Sequence, residues 1–336
     1  FEFWFEFRWF NIGLIFAGLI FQMLPTSHTR TLAIIGDPIE HSLTPLIQNA
    51  AWQHLRDSEP ESGGDFVNVA FRVEPQNLEC AVRGAQALGL LGLMVTIPHK
   101  QNVLALCDEL DASAQLIGAA NLLQFRADGK IIGHSSDGWA AIKSLGEQQV
   151  LVPGKHVCIL GGGGAARSLA LTFAIEGARE IVILNRTCER AQTIADEVVA
   201  LGKTACAAAL DGSTLREVLP ECDLLVNATS VGMHPHETAS PLAVGVLPAQ
   251  AEDAASDAAT LEAQLLHSGL AVYDIVYNPL ETQLLRSAKI AGARAVDGLG
   301  MLIYTNVYAA QVCAQRKISP AVMRRAALAT LTKTRS

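Results

Sequence analysis

The sequence predicts an α/β protein of two domains whose last helices return to the first. Three observations carry this. Residues 31–95 and 157–275 each alternate short apolar runs with helical patterns, the mark of parallel strands joined by crossovers. At the start of the second, Val157-Cys158-Ile159-Leu160 breaks into four glycines, Gly161 to Gly164, and restarts as a helix. The tail, residues 301–313 and 320–331, is helical, as expected of segments packing back on a first domain when a second is inserted.

Residues 1–22 are crowded with aromatic and aliphatic side chains. The longest uncharged run, 9–27, ends in Pro25 and polar residues, so its apolar part falls short of the ~20 residues a spanning helix needs. It lacks the basic start and small-residue cleavage site of a signal peptide. The expectation is that Met23 is the natural start and that residues 1–24 are an extension outside the fold. From Thr31, Leu32-Ala33-Ile34-Ile35 forms a strand that turns at Gly36-Asp37-Pro38; a helix over 46–55, a strand over 66–71, a helix over 78–88 and a strand over 91–95 follow. This series implies a mostly parallel sheet. Residues 121–125 and 131–133 flank Asp128-Gly129, a hairpin signal. A helix over 140–145 leads to Pro153-Gly154, which places the boundary near Gly138: residues 25–138, completed by 300–336, form one domain and 139–299 the other.

In the second domain, residues 180–184 read as a strand, and 188–201 as a helix with Ala191, Ile194, Ala195 and Val198 on one face. Residues 224–226 and 272–275 are further buried strands. Residues 248–263, rich in alanine and acid, read as a surface loop or poorly packed helix without chemistry.

A chain of 336 residues that is 50% hydrophobic and 17% charged buries a large core. Its net charge of −8 argues against nucleic acid or an anionic membrane as main partner, while leaving room for anionic small molecules in a local cationic pocket. Seven scattered cysteines without a Cys-x-x-Cys pair read as buried thiols of a reducing cytoplasm. His234-Pro235-His236 is the closest histidine pair and reads as a solvated loop, so no metal is expected.

Five stretches have the composition of sites. The glycine run lets backbone approach a diphosphate, because residues without a Cβ expose their N–H groups and a helix N-terminus adds partial positive charge. Gly161-x-Gly163-x-x-Ala166 fits the dinucleotide fingerprint, although a structural turn explains the glycines equally well. Ser42-Leu43-Thr44-Pro45 offers two hydroxyls at a helix start, suited either to a carboxylate-sized anion or to a simple N-cap by Thr44. Val95-Thr96-Ile97-Pro98-His99-Lys100 ends a buried strand, where ligands of α/β sheets sit, and delivers a lysine that alone would be a surface charge. Asn121 follows Gly118-Ala119-Ala120 at a turn, and Gly133-His134-Ser135-Ser136-Asp137-Gly138 ends the domain on an aspartate that alone would be a turn residue.

Together with Asn185-Arg186-Thr187, Asn227-Ala228-Thr229-Ser230-Val231-Gly232-Met233, Tyr273-Asp274-Ile275-Val276-Tyr277-Asn278-Pro279 and Gly298-Leu299-Gly300-Met301-Leu302, these stretches closely resemble, in order, the shikimate dehydrogenase family. The resemblance covers residue 31 to the C-terminus. It implies an N-terminal substrate domain, a Rossmann-like NADP-binding domain, and reversible NADPH-dependent reduction of 3-dehydroshikimate to shikimate, a step of aromatic amino acid biosynthesis, by a monomer or homodimer. Lys100 and Asp137 match the catalytic pair. By position Ser42 and Thr44 would bind the substrate carboxylate, Thr96, Asn121 and Asp137 the ring hydroxyls, and Tyr277 would close the carboxylate side. Gly161, Gly163, Gly164 and Ala165 would cradle the cofactor diphosphate, with Thr229 and Gly298 also on the cofactor side. Asn185, Arg186, Thr187 and Arg190 stand where an NAD enzyme carries an acid for the ribose; the arginines suit a 2′-phosphate and point to NADP, against the plainer reading as surface arginines.

Five residues depart from the family. Met94 stands for an asparagine, Thr305 for a substrate-binding glutamine, Ser135-Ser136 for asparagine-threonine, and Leu122 for a threonine. A lost hydrogen bond costs ~0.5–1.5 kcal/mol, enough to shift preference without abolishing catalysis. Two further readings therefore stand beside shikimate: a paralogue acting on quinate or another polyol acid, and a silent NADP- or metabolite-binding regulator. Retention of both Lys100 and Asp137 speaks against the last.

Overall fold

The computed structural model describes residues 25–60, 64–243, 259–260 and 262–333; the N-terminal extension and the reading of Met23 as a start lie outside them. The first sheet begins with β1 (Arg30–Gly36), followed by α1 (Thr44–Ser58), β2 (Phe66–Arg72), α2 (Leu78–Ala87) and β3 (Gly92–Val95). Then come β4 (Glu109–Leu110), α3 (Ala112–Ile117), β5 (Leu122–Phe125) and β6 (Ile131–His134). The order is β2-β1-β3-β5-β6-β4. β1 pairs in parallel with β2 and β3, whereas β5 is antiparallel to both β3 and β6. The Asp128-Gly129 turn forces that reversal, with Gly129 at φ 85° and the Arg126 N–H donating to Lys130 O at 3.0 Å.

β1 is buried on both faces, so its side chains feed two cores in alternation. Leu32 and Ile34 join Ile47, Trp52 and Leu55 of α1, while Ala33 and Ile35 join Leu78 and Val82 of α2.

The next helix, α4 (Asp137–Glu147), starts at the aspartate itself, so a boundary near Gly138 passes through its first turn. The second sheet contains β7 (His156–Leu160), β8 (Glu180–Asn185), β9 (Ala205–Ala209), β10 (Leu224–Asn227), β11 (Ala271–Asp274) and β12 (Arg294–Val296). Helices α5 (Gly164–Ile175), α6 (Cys188–Ala200), α7 (Gly212–Val218) and α8 (Gln283–Ile290) accompany it. All pairings are parallel and the order is β9-β8-β7-β10-β11-β12. The order reverses between β7 and β10, and the crevice beyond the carboxyl ends there is where such sheets bind ligands. The glycine loop leaves β7 at that point.

The tail forms α9 (Leu299–Ala309), a π-helical turn over Ala310–Ala314, and α10 (Pro320–Lys333). Met323 and Ala327 of α10 join the core that holds Trp52 and Leu55 of α1. α4 is clasped closely: a Cβ on Gly138 would strike Thr172 of α5, and one on Gly300 of α9 would strike Ser144 of α4.

Two expectations are corrected. Only Cys158, Cys222 and Cys313 are buried; Cys80 on α2 and Cys206 on the edge strand β9 are exposed, and Cys107 and Cys188 are intermediate. Much of 248–263 lies outside the described residues, but Glu262 is fully buried, with Oε2 accepting from Ser240 Oγ and Ser287 Oγ at 2.8 Å each. Burial raises its pKa above the ordinary value, against those two hydrogen bonds. It is an anchor inside the second domain, not surface.

Candidate active site

A cleft of about 280 Å³ opens where the carboxyl ends of β1 and β3 face the start of α5. Ser42, Thr44, Thr96, Lys100, Asn121, Asp137, Tyr277 and Thr305 line it together with Ala165 and Gly298. The first sheet thus supplies most of the polar groups, and the glycine-loop helix reaches the same space through Ala165.

Lys100 follows the Pro98 turn after β3, and its Nζ donates to Asp137 Oδ2 at 2.7 Å. Asp137 is 7% exposed, and its other oxygen accepts from Asn121 Nδ2 at 2.7 Å. Asn121 Oδ1 accepts from Ser136 N and Ser136 Oγ at 2.8 and 3.1 Å, so one amide holds both the residue before α4 and the carboxylate. Strand pairing fixes Asn121 in turn: its N–H donates to His134 O, and its carbonyl accepts from Val95 N. Its main role in this geometry is toward Asp137, with little amide capacity left for a ring hydroxyl.

At the other end, Thr44 lies in the first turn of α1, whose N-cap is Leu43 without a side-chain cap. The choice between an N-cap and an anion site therefore turns against the cap: Ser42 Oγ accepts from Thr44 N at 3.3 Å, and both hydroxyls line the cleft. Tyr277 faces them, its phenol pushed up by burial. Met94 also lines the wall, its sulfur engaged by the buried Gln48 Nε2 at 3.6 Å. Thr305 Oγ1 donates to Leu302 O, and the neighbouring Asn306 turns inward to Thr44 Oγ1 at 3.4 Å and to Leu302 O.

Asn185, Arg186, Thr187 and Arg190 lie not at the cleft but at the glycine loop. Gly161 has φ 122°, which favours glycine, and a Cβ on Gly162 would stand 2.7 Å from Asn185 Nδ2. A Cβ on Gly163 or Gly164 would meet nothing within 4 Å, so open space lies over the N-terminus of α5. Asn185 Nδ2 donates to Thr187 O; Arg186 and Arg190 are exposed and form no ion pair among the described residues. Thr229 Oγ1 donates to Asn227 Oδ1 at 2.7 Å at the exit of β10. A Cβ on Gly298 would strike the Ile275 carbonyl, so that glycine also serves packing.

Sequence reasoning assigned no role to the apolar lining, including Ile34, Ile39 and Leu302; the exposed His41, which opens the stretch of Ser42 and Thr44, stands at the rim. The signal was present: β1 and β3 are neighbours, so residues that end both point to one crevice. It also missed Asp274, fully buried at the end of β11, whose pKa burial pushes up to about 6 against hydrogen bonds from Thr282, Val276 N and Asn227. Among the described residues no cluster of three His, Cys, Asp or Glu side chains stands ready for a metal, and no helix is long and apolar enough to cross a membrane.

Residues 34–123 match the shikimate dehydrogenase substrate binding domain, and residues 144–237 the shikimate/quinate 5-dehydrogenase domain. A shikimate dehydrogenase (NADP(+)) of Methanopyrus kandleri is 43% identical over 304 residues, covering 90% of this chain and 96% of the relative. The chain belongs to the shikimate dehydrogenase family. Among solved structures, a shikimate dehydrogenase in complex with NADP+ aligns with a TM-score of 0.79 at 36% identity, over 92% of this chain and 98% of the other. The family fold also carries other names: the 5-ketofructose reductase of a Gluconobacter species aligns with a TM-score of 0.76 at 31% identity, over 91% of this chain and all of that one, 100%. Membership accounts for two α/β domains with the cleft between them.

Proposed function

We propose that this chain is an NADP-dependent shikimate dehydrogenase, reducing the ketone of 3-dehydroshikimate to shikimate reversibly. The observation that carries the reading is the Lys100–Asp137 pair at 2.7 Å, held by Asn121 in a cleft that the glycine-loop helix also reaches. Similarity to shikimate dehydrogenases that use NADP supports it.

The residues present fit the cofactor: the open space over Gly163 and Gly164 admits a diphosphate, and Arg186 and Arg190 are available to a 2′-phosphate. When bound, NADPH supplies the hydride. The chain's own part is the proton. Both Asp137 oxygens are engaged by Lys100 and Asn121; Lys100 Nζ holds the carbonyl oxygen as it gains negative charge and passes the proton, while Asp137 aims Lys100. Ser42, Thr44 and Tyr277 take the substrate carboxylate with the N-terminus of α1, and Thr96, Asn121 and Thr305 flank the ring. We assign residues 25–138 and 300–336 to the substrate domain and 139–299 to the cofactor domain, and place the enzyme in the cytoplasm, where its seven free cysteines stay reduced.

One observation bears on a second substrate of the same class. Met94 offers the cleft a thioether already engaged by Gln48 and no amide for a ring hydroxyl, so choice among shikimate, quinate and other polyol acids falls to the remaining lining residues. Initial rates of purified protein with shikimate and quinate, each against NADP+ and NAD+, decide between them. The expected result is the highest kcat/KM for shikimate with NADP+; negligible turnover of that pair would sink the reading.

A further inference from the structure

Three residues upstream of Asp137 stands a titratable cluster that the chemistry above leaves unused. Its centre is Asp111, the N-cap of α3, whose Oδ1 accepts from Ala114 N at 2.8 Å and Ser113 Oγ at 2.6 Å. Asp111 and the Ser113 bonded to it hold three successive positions, Gly133 to Ser135, on the way to Asp137. The Asp111 N–H donates to Gly133 O at 2.9 Å. Its Oδ2 lies 2.9 Å from His134 Nδ1, and Ser113 Oγ accepts from Ser135 N at 3.0 Å.

The next residue, Ser136, is held by Asn121, and the one after is Asp137. Asp111 and Asn121 therefore grip consecutive stretches of one short segment from opposite sides. A carboxylate can only accept, so His134 donates from Nδ1, and its Nε2 is buried without a protein partner. A buried histidine left half satisfied is costly, and a leucine there would avoid the cost. Tyr308 of α9 closes the cluster, its hydroxyl donating to Asp111 Oδ2 at 3.3 Å and its ring standing edge-on to His134 at 6.1 Å. Burial works to raise the Asp111 pKa, but hydrogen bonds from His134, Ser113 and Ala114 N outweigh it and leave it below the ordinary value.

We infer that Asp111 and His134 are positioning residues for the reaction: they fix residues 133–135 so that Asp137 meets Lys100 in the productive geometry. The inference rests on the proposed reduction, in which Asp137 aims Lys100. It depends on the directional bond from His134, not on filling the space, and that distinction is testable. Asparagine presents an amide near the place of Nδ1 and can donate to Asp111; leucine fills the space without donating.

The experiment compares H134L, H134N and, as an independent break of the Ser135 link, S113A, in the full-length protein. For H134L we expect kcat for shikimate oxidation to fall about tenfold or more, with KM changing less, because small misplacements of a catalytic group are costly. H134N should recover most of that loss. Amide hydrogen exchange, which needs no substrate, should show about tenfold faster exchange at residues 135–137 in H134L and S113A but not in H134N. Loss of kcat and of protection in H134L, both recovered in H134N, supports the inference. Wild-type kcat and protection in H134L, or equal losses in H134L and H134N, would overturn it. Should H134L not fold, S113A with wild-type kcat and wild-type protection overturns it. A wild-type protein that fails to turn over shikimate would instead defeat the proposed function, and the exchange comparison would still decide whether His134 holds the segment.

Discussion

Replacing Lys100 by alanine separates chemistry from binding. In the structure Lys100 is half-buried, its ammonium 2.7 Å from Asp137 Oδ2. In the proposed mechanism the variant removes the group that holds the developing charge and passes the proton. General acid catalysis by a positioned side chain contributes about 10²–10⁴-fold, which corresponds to ~3–5 kcal/mol in the barrier. Asp137 keeps Asn121 and gains water through the opened cleft, so the stability cost is roughly 1 kcal/mol, discounted for the exposure of the lysine. Steady-state kinetics in both directions should therefore show kcat down about a thousandfold, while NADPH binding, read by quenching of its fluorescence, stays within about twofold because the glycine loop is untouched. A kcat within about threefold of wild type would remove Lys100 from the mechanism, since no proton donor of that reach worth keeping loses so little. A parallel loss of NADPH binding would instead mean that the two sides of the cleft are structurally coupled through Lys100.

Arg186→Ala and Arg190→Ala should each raise KM for NADP+ by about ten- to a hundredfold, the worth of a charge-assisted hydrogen bond, and leave KM for NAD+ little changed; equal effects on both cofactors would assign the arginines elsewhere. Asp274→Asn tests the buried carboxyl at the end of β11. Its folded pKa of about 6 lies above the value of 3.8 for a free aspartate, so the folded state binds the proton more tightly and stability falls as pH rises from about 4 through 6. The full effect is about 3 kcal/mol. Asparagine cannot ionise, so in urea denaturation the variant should gain on wild type at pH above 6 and lose that advantage at acid pH; the same difference at both pH values would show that Asp274 titrates normally.

The βα alternation was legible because buried parallel strands such as β1 and β7 are continuous apolar runs, and periodicity alone places them. The hairpin was legible from Asp128-Gly129. β9 was not: Ala205-Cys206-Ala207-Ala208-Ala209 has low strand propensity and exists because β8 offers it an edge. Helix α8, eight residues long, is too short for a periodic signal. In the site, the Lys100–Asp137 pair was read from motif order, but Asn121 looked like a ligand group when its amide is mainly spent on Asp137 and Ser136. Spacing along a chain carries no record of hydrogen bonds between strands, so such a role emerges only with the fold.

The glycines show the same limit from another side. Gly161 carries a positive φ and reads correctly as a loop residue, but Gly138 and Gly300 lie inside or at the start of helices, where glycine costs about 1 kcal/mol relative to alanine. They are retained at that cost because α4 is pressed between α5 and α9, and a Cβ at either position would strike Thr172 or Ser144. α4 begins with Asp137, α5 begins at the glycine loop, and α9 brings Met301 and Thr305 to the cleft. Close packing of these three helices therefore sets the distance from the Asp137 carboxylate to the glycine loop, and that loop organises the chain only because α5 is held against α4 at a separation that admits no side chain.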